Sequence, residues 1–294
     1  MSDFVQQQNN ICDFKSSDSW VILSPIEQSI KRKIEAVGTP LKDWDIQINY
    51  GIKTGFNDAF IISTEKRNEI LANCKNADER QRTDELIRPI LRGRDIKRYI
   101  YDWADVWLIN THNGIKGRLE RIHIEDYPAV KAHLDQFWDK IKDRADQGDT
   151  PYNLRNCAYL EDFCKPKIIW KRIGSILRFS YDDKKVFGLD STCIATGKHI
   201  SYLCCVLNSD MGHYLLKDSP KTGTGDLLVS VQAMEPILIP FDKNIELQLN
   251  AILKIYLDNN TRLIDEKINR IVYSLYRLSA DECQYITETI TQFQ

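Results

Sequence analysis

Two changes in the spacing of apolar residues divide this sequence into three parts. Between residues 44 and 240 the chain consists of short runs rich in β-branched and aromatic residues, separated by Gly, Pro, Asn and Asp. Such runs are typical of strands joined by turns. The flanking parts carry apolar residues every three or four positions, which is the period of an α-helix. The sequence therefore predicts an α+β fold, in which a β-rich domain with mixed or antiparallel sheets (44–240) lies between an N-terminal segment with one helix (1–43) and a C-terminal helical segment (241–294).

Local signals mark the ends of the predicted helices. Ser24, Pro25 and Glu27 form a capping box with proline at the first helical position, and Gly38 marks the end of this helix. Beyond residue 240, a long stretch without Gly or Pro predicts one helix of about 30 residues, about 45 Å long. A second capping box at residues 279–282 predicts a short terminal helix that folds back onto the long one.

The β-rich part contains one predicted meander and two predicted helical insertions. Residues 167–189 indicate a meander that turns at Gly174 and at Asp182. Residues 65–74 and 127–144 show helical spacing of their apolar side chains. The domain should therefore combine sheets with helices rather than form a β-sandwich.

Composition and charge limit the class of protein. The sequence contains no run of about 18 apolar residues and no basic-then-apolar N-terminus, so we expect a cytoplasmic protein. Its eight cysteines are scattered without a CxxC pair, which indicates reduced thiols. The formal net charge of -2 argues mildly against a nucleic-acid partner, because affinity for phosphates comes mainly from Lys and Arg.

The distribution of charge weakens that argument. Residues 88–99 carry five basic side chains and one acid, Asp95, and residues 165–178 carry five basic side chains and no acid. A chain of near-neutral charge can therefore still present a basic surface.

Motifs for catalysis are missing from the sequence. A methyltransferase needs a Gly-rich turn after a strand for S-adenosylmethionine and a polar-Pro-Pro-aromatic loop for the extruded base, and neither is present. The segment PKTGTGD (220–226) lacks the ending of a phosphate-binding loop, so it is either a surface loop or a backbone clamp on a DNA phosphate. The acidic residues at 265–266 point around a helix, and the histidines form no HExxH motif. We therefore expect no catalytic residue and no metal site.

One ordered set of segments resembles a known family. The segment INYGIKTGFNDAFII (48–62) is similar to the opening of the TaqI-like C-terminal specificity domain of type IIG restriction-modification enzymes and related phage-defence methyltransferases. The further segments that agree in the same order are LIRPILRGRDIKRY (86–99), VWLINTHNG (106–114), GDTPYNLRNCAYLEDFCKPKIIWKRI (148–173), SYLCCVLNSDMGHYLL (201–216) and VYSLYRLSADE (272–282). The likeness extends over residues 19–285.

This resemblance implies a target-recognition domain that places duplex DNA against a methyltransferase domain lying N-terminal to it in the parent protein. It also implies that the cofactor of the parent is S-adenosylmethionine, with Mg²⁺ in addition if a nuclease is present, and that this chain holds neither. The chain would then be a C-terminal fragment or a detached subunit.

Reading bases requires polar side chains on a rigid scaffold, while phosphate contacts fix the register of the protein on the duplex. The candidate DNA-binding residues are Lys53, Thr54, Asn57, Arg92, Arg94, Lys97, Arg98, Tyr152, Arg155, Lys167, Lys171, Arg172, Lys221 and Thr222. Strand alternation sends Lys167 and Lys171 to one side and Arg172 to the other, so only one basic row can face a duplex. Two of the segments have a plainer interpretation: residues 51–57 as a structural turn, and residues 91–99 as an ordinary charged surface.

The sequence thus predicts a sequence-specific double-stranded DNA recognition module of a type IIG restriction-modification enzyme, with weak affinity when alone. One alternative is the specificity part of a phage-defence adenine methyltransferase without a nuclease. A second is a nuclease or methyltransferase with degenerate motifs. A third is a structural subunit that pairs through its long C-terminal helix, where Asn259 and Asn260 interrupt the apolar seam.

Overall fold

The computed structural model describes residues 23–259 and 264–291, and the predicted α+β class is confirmed. The helices in this part are α1 (Pro25–Val37), α2 (Asn57–Phe60), α3 (Thr64–Ala72), α4 (Ala77–Leu86), α5 (Pro128–Asp135), α6 (Trp138–Ile141), α7 (Ile200–Asn208), α8 (Asp210–Leu216), α9 (Val231–Met234), α10 (Lys243–Asn259), α11 (Ile264–Leu275) and α12 (Ala280–Thr291). The strands are β1 (Thr39–Pro40), β2 (Ile46–Tyr50), β3 (Ile61–Ser63), β4 (Ile87–Leu91), β5 (Val106–Ile109), β6 (Lys167–Lys171), β7 (Ile173–Gly174), β8 (Phe179–Asp182), β9 (Phe187–Gly188), β10 (Thr192–Gly197), β11 (Leu227–Leu228) and β12 (Leu238–Ile239).

Helix α1 has the predicted ends. The Ser24 hydroxyl accepts the backbone N–H of Glu27 at 3.4 Å, and the Glu27 carboxylate accepts the backbone N–H of Ser24 at 2.7 Å. The helix stops at Gly38, whose N–H donates to the carbonyl of Ile34. A Cβ on Gly38 would lie 2.6 Å from the Cβ of Leu238, so this position also lets β12 approach the helix end.

The first sheet has the strand order β2–β10–β6–β8, and all of its pairs are antiparallel. Ile168 and Trp170 of β6 belong to one hydrophobic core, whereas Ile169 belongs to another on the opposite face. The predicted alternation along this strand is therefore confirmed. Because both faces of the sheet are covered, neither of them is free to receive a duplex.

The second sheet has the order β3–β5–β4–β9, with β9 parallel to β4. The predicted meander over residues 167–189 is correct for β6 and β8, which pair with each other, but wrong for β9. The Asp182 carboxylate accepts the backbone N–H groups of Lys184 and Val186 and so turns the chain away from the first sheet. Val186 and Phe187 are then buried in the second core.

Two hydrophobic cores meet at the first sheet. The first core lies between that sheet and the helices α1, α7, α8, α10, α11 and α12. The second core lies between the opposite face of the sheet, the second sheet and the helices α3 and α5. The first sheet thus fixes the position of the second sheet relative to the C-terminal helices.

The C-terminal segment is a helical hairpin, and the prediction of one long helix is wrong. A straight helix from Lys243 onward would carry Tyr276 about 50 Å from its start. Instead, the Tyr276 hydroxyl donates to the carbonyl of Leu238, five residues before the helix begins, at 2.9 Å. The apolar side chains of α10 and α11 both belong to the first core. Packing against the same core favours an antiparallel arrangement of the two helices. Of the two asparagines that interrupt the apolar seam of the predicted long helix, Asn259 ends α10 and Asn260 lies outside the described residues.

The terminal helix α12 joins the two ends of the chain. The Ser279 capping box is present, since the Glu282 carboxylate accepts the Ser279 N–H at 2.6 Å. The same carboxylate accepts Lys33 Nζ at 2.6 Å and the Ser29 hydroxyl at 2.7 Å, both from α1. Burial alone would raise the pKa of Glu282, but these hydrogen bonds outweigh it and lower the pKa to about 2.

Candidate nucleic-acid interface

A cleft of about 480 Å³ lies where one edge of the first sheet meets the second sheet. Strands β2 and β6 both run antiparallel to β10, so they are parallel to each other and their carboxyl ends share this edge. Lys53 follows β2 and Arg172 follows β6, while Asn110 and His112 follow β5 of the second sheet. The residues that line the cleft are Tyr50, Gly51, Ile52, Lys53, Asn110, His112, Leu154, Arg155, Asn156, Cys157, Ala158, Tyr159, Leu160, Arg172 and Asp190.

Four cations surround this edge without a carboxylate partner among the described residues. They are Lys53, Arg94, Lys171 and Arg172, of which the first three are exposed and the last is half-buried. The adjacent Lys171 and Arg172 come from the end of β6, whereas Lys53 and Arg94 come from two other segments. The fold therefore brings three separate segments together. We refer to these four residues as the basic edge.

A close contact positions two members of the basic edge. A Cβ on Gly93 would lie 2.8 Å from Cγ of Lys171, so the turn that carries Arg94 packs directly against the Lys171 side chain. The Gly93 N–H also donates to the Ser191 hydroxyl at 3.1 Å. The predicted bend at Gly93 is therefore present, and its consequence is that Arg94 and Lys171 lie near each other.

Arg172 is held at the cleft by its backbone and by an aromatic ring. Its N–H donates to the Ser191 carbonyl at 3.0 Å, and its own carbonyl accepts the Val229 N–H at 2.8 Å. The guanidinium carbon lies 5.9 Å from the centre of the Tyr50 ring, within cation–π range. The Nε atom of Arg172 is buried and has no hydrogen-bond partner in the described structure.

The segment PKTGTGD forms a hairpin beside the basic edge. Strand β11 pairs with β7, which begins directly after Arg172. Lys221 forms an isolated β-bridge with Leu227. The Thr222 N–H donates to the Asp226 carbonyl at 2.8 Å, and Gly225 takes a φ of +87° in the turn. Lys221 and Thr222 therefore lie on the same side of the molecule as Lys171 and Arg172, as a surface hairpin.

Lys167 is not part of this surface. Its side chain is fully buried, forms an ion pair with the equally buried Asp182, and donates to the Phe163 carbonyl at 2.7 Å. The prediction of DNA contact by Lys167 is wrong because the sheet that carries it is covered on both faces. Burial lowers the pKa of Lys167, and the charge of Asp182 opposes that shift.

Thr54 is buried as well, which corrects another prediction. Its hydroxyl donates to the Asn57 side-chain oxygen at 2.6 Å, so this pair closes the turn between β2 and α2. Asn57 is exposed, but that oxygen is already engaged. The interpretation of residues 51–57 as a structural turn therefore applies to Thr54 and Asn57. Of the three candidate DNA-binding residues in this segment, only Lys53 lines the cleft.

The basic segment 88–99 splits between two sides of the molecule. Arg92 binds both oxygens of the Asp95 carboxylate, at 3.0 Å each. Lys97 pairs with Asp102. These two side chains and Arg98, which contacts the C-terminal hairpin, are used within the fold, so only Arg94 of the four candidate cations in this segment belongs to the basic edge.

The contacts of Arg98 tie residues 88–99 to the C-terminal hairpin. Its guanidinium lies 3.3 Å from the Asp265 carboxylate on α11 and donates to the Asn208 carbonyl at 2.5 Å. Tyr99 adds a hydrogen bond from its hydroxyl to Asp265 at 3.1 Å. Arg98 thus stabilises the fold and does not face the cleft.

Arg155 lines the cleft, whereas Tyr152 is not among the lining residues. The Tyr152 hydroxyl donates to Asp135 at 2.5 Å, and its ring lies 5.4 Å from that of the exposed Trp138. Arg155 lines the cleft but pairs with Asp146 at 2.9 Å. Both side chains would have to exchange a carboxylate for a phosphate to contact DNA.

The residues that sequence reasoning missed follow strand β5. Asn110 is buried, and its side-chain oxygen has no hydrogen-bond partner among the described residues. Burial lowers the pKa of His112, so this imidazole is neutral near pH 7. Tyr159 completes this wall, and burial raises its pKa to about 12. Asn110 and His112 lie in the segment VWLINTHNG, which carries the family resemblance but no local pattern of a binding site.

A wider cavity of about 850 Å³ adjoins the cleft, and the two share residues 156–158. Its other wall is a short hairpin in which Gly114 and Gly117 take positive φ values. Arg118 and Arg121 on this hairpin are paired with Glu161 and Asp149.

Residues 23–259 and 264–291 contain neither a cluster of metal-ligating side chains nor a membrane-spanning helix. No group of three or more His, Cys, Asp or Glu side chains in this part is arranged to hold a metal ion. None of its helices is both long and apolar enough to cross a membrane.

Comparison with known proteins relates the chain to restriction-modification enzymes. Residues 88–232 match the TaqI-like C-terminal specificity domain family. The fold resembles that of the type IIL restriction-modification enzyme MmeI, solved in complex with DNA, with a TM-score of 0.60 and 13% identity over 87% of this chain and 37% of MmeI. It also resembles the type IIG restriction endonuclease BpuSI, with a TM-score of 0.50 and 14% identity over 90% of this chain and 32% of BpuSI. No curated protein matches the sequence significantly. The chain thus spans about a third of the length of the two enzymes that it resembles.

Proposed function

We propose that this chain, whose residues 88–232 match the TaqI-like C-terminal specificity domain family, is the module that recognises a specific double-stranded DNA sequence for a type IIG restriction-modification enzyme. The observation that carries this proposal is the basic edge, where Lys53, Arg94, Lys171 and Arg172 lack carboxylate partners among the described residues. Most other cations of the two basic segments are paired or buried. The unpaired cations of the basic edge therefore favour binding of an external anion.

The basic edge has the chemistry that a duplex requires. Lys and Arg neutralise phosphates and release counterions, which provides most of the sequence-independent affinity. Arg can also bind guanine through O6 and N7, so Arg94 and Arg172 are the candidates for base reading. Lys53 and Lys171 are point charges that fit phosphates better. The net charge of -2 is consistent with weak binding by this chain alone.

The proposal includes a methyltransferase as partner, either a domain of the same parent protein or a separate subunit. Under this proposal that partner would hold the S-adenosylmethionine, and a nuclease, where present, would hold Mg²⁺. The described residues offer no arrangement for a metal ion, so no step of the reaction is assigned to them. The specificity part of a methyltransferase without a nuclease would use the same surface in the same way.

A binding selection from randomised duplexes at low salt tests the proposal. We expect the wild-type chain to enrich one short motif, and we expect Arg94→Ala and Lys171→Ala to reduce that enrichment. Lys198→Ala is the matched control, because Lys198 is exposed and follows the opposite end of β10, away from the cleft. Absence of any enriched motif, or equal loss in the control, would contradict the proposal.

A further inference from the structure

The cleft beside the basic edge has a shape that an intact duplex cannot use. Its volume of about 480 Å³ lies within the range of pockets that hold a small molecule, roughly 300–1,000 Å³. Bases in an intact duplex are read by elements that project into a groove about 12 Å wide. A recessed site of this size accommodates one nucleotide that has left the base stack.

The floor of the cleft carries an amide with no partner. Asn110 is only 7% exposed, and its Oδ1 is buried without a hydrogen-bond partner among the described residues. The side-chain nitrogen of Asn110 also makes no hydrogen bond to the described residues. The backbone of Asn110 is satisfied, since its N–H donates to Leu86 and its carbonyl accepts from His112. A buried polar group left unsatisfied costs about 1–3 kcal/mol, so a ligand that pairs with the amide would recover this cost.

The walls of the cleft provide the other contacts of a nucleotide. Tyr50 and Tyr159 present aromatic rings, on which any base can stack. Lys53 and Arg172 supply positive charge for a phosphate, and Asp190 is the one carboxylate among the lining residues. The Asn110 amide and the two phenol rings are therefore suited to bind a base, and the two cations are suited to bind its phosphate.

We propose that this cleft binds a single unpaired nucleotide, with Asn110 hydrogen-bonded to the exposed edge of its base. The site is distinct from the basic edge as a duplex contact, although Lys53 and Arg172 serve both. An amide offers one donor and one acceptor, which matches the adjacent acceptor and donor on the Watson–Crick edge of any base. Asn110 thus detects that a base is unpaired, while its identity is read elsewhere.

The test compares two DNA duplexes of the same sequence, one fully paired and one with a single-nucleotide bulge, by fluorescence anisotropy with the full chain. We expect the bulged duplex to bind roughly tenfold more tightly, because stacking of one base on an aromatic side chain is worth about 1–3 kcal/mol. Asn110→Leu removes the hydrogen bonds of the amide and keeps the aromatic rings, so it should reduce this preference and leave the affinity for the paired duplex unchanged. Asn244→Leu, on the exposed start of α10, is the control and should keep the preference.

Thermal unfolding separates binding from folding. Asn110→Leu should unfold at the same temperature as the wild type or higher, because an apolar side chain of similar shape removes an unsatisfied polar group. A lower unfolding temperature would indicate that Asn110 is a structural residue and would overturn the proposal. Equal affinity of the wild type for the two duplexes would also overturn it.

A third arm identifies the source of the nucleotide. Free deoxynucleoside monophosphates are tested for binding to the wild type and to Asn110→Leu. Binding that is lost in the variant supports the site, and the bulge preference then identifies a duplex as the source of the nucleotide. Binding that is unchanged in the variant would contradict the role of Asn110. The failure of the duplex-recognition proposal has a different signature, which is no sequence motif in the selection whatever the bulge does.

Discussion

The ion pair between Lys167 and Asp182 gives the most direct stability prediction. Both side chains are fully buried where the start of β6 pairs with the end of β8, and Asp182 also accepts the Tyr101 hydroxyl and two backbone N–H groups. Lys167→Met removes the cation and leaves a buried carboxylate without its counter-charge. Breaking a buried pair in this way costs about 3–5 kcal/mol, a large part of the 5–15 kcal/mol that stabilises a typical domain.

Lys165→Met is the matched control for this prediction. Lys165 lies two residues away on the same segment, is exposed, and pairs with Asp162 at 2.7 Å. Asp162 is buried, but water reaches the exposed Lys165 side chain and screens this pair. Asp162 also keeps its hydrogen bond from the Asn49 amide, so this variant should lose much less stability than Lys167→Met.

Thermal and urea unfolding followed by circular dichroism measure both variants, and DNA affinity is measured well below the unfolding temperature. We expect Lys167→Met to lower the unfolding temperature by roughly 5–15 °C while folded protein keeps its affinity for DNA. Equal stability of the two variants would refute the structural role assigned to Lys167. A selective loss of DNA binding by stable Lys167→Met would restore its predicted place in the DNA interface.

Two other contacts provide further predictions. Glu282→Gln should lower the free energy of unfolding by about 1–3 kcal/mol above pH 5. The difference from the wild type should shrink as the pH falls toward 2, because the pKa of this carboxylate is about 2 in the folded chain and its ordinary value is 4.5. Urea unfolding over this pH range measures the difference, and a pH-independent difference would contradict the ion pair with Lys33. Arg98→Ala should raise the pKa of His213, which burial and the nearby Arg98 charge hold at about 4; NMR titration of the imidazole measures it, and an unchanged value would show that the two groups do not interact.

Features set by neighbours along the chain could be predicted from the sequence. Both capping boxes, at Ser24 and at Ser279, are present because each depends on contacts within four residues. The alternation of Ile168, Ile169 and Trp170 follows from the pleat of any strand. The α+β class follows from these local patterns.

Features set by distant partners could not be predicted. Lys167 resembles an exposed basic residue until the fold covers both faces of its sheet, and Arg98 finds Asp265 across 167 positions of sequence. The return of the C-terminal helices depends on the shared core and not on any Gly or Pro signal. Asn110 had no distinctive pattern of its own, because only the cleft makes its unpaired amide unusual.

The central claim, that the basic edge contacts the phosphates and bases of a duplex, is tested most directly by the salt dependence of binding. The logarithm of the binding constant for the selected duplex falls linearly with the logarithm of salt concentration, with a slope of about -0.9 for each phosphate neutralised. We predict that Lys171→Ala makes this slope about 0.9 less negative and that Lys198→Ala leaves it unchanged. The same slope in the wild type and in Lys171→Ala, or no salt-sensitive binding at low ionic strength, would contradict the claim.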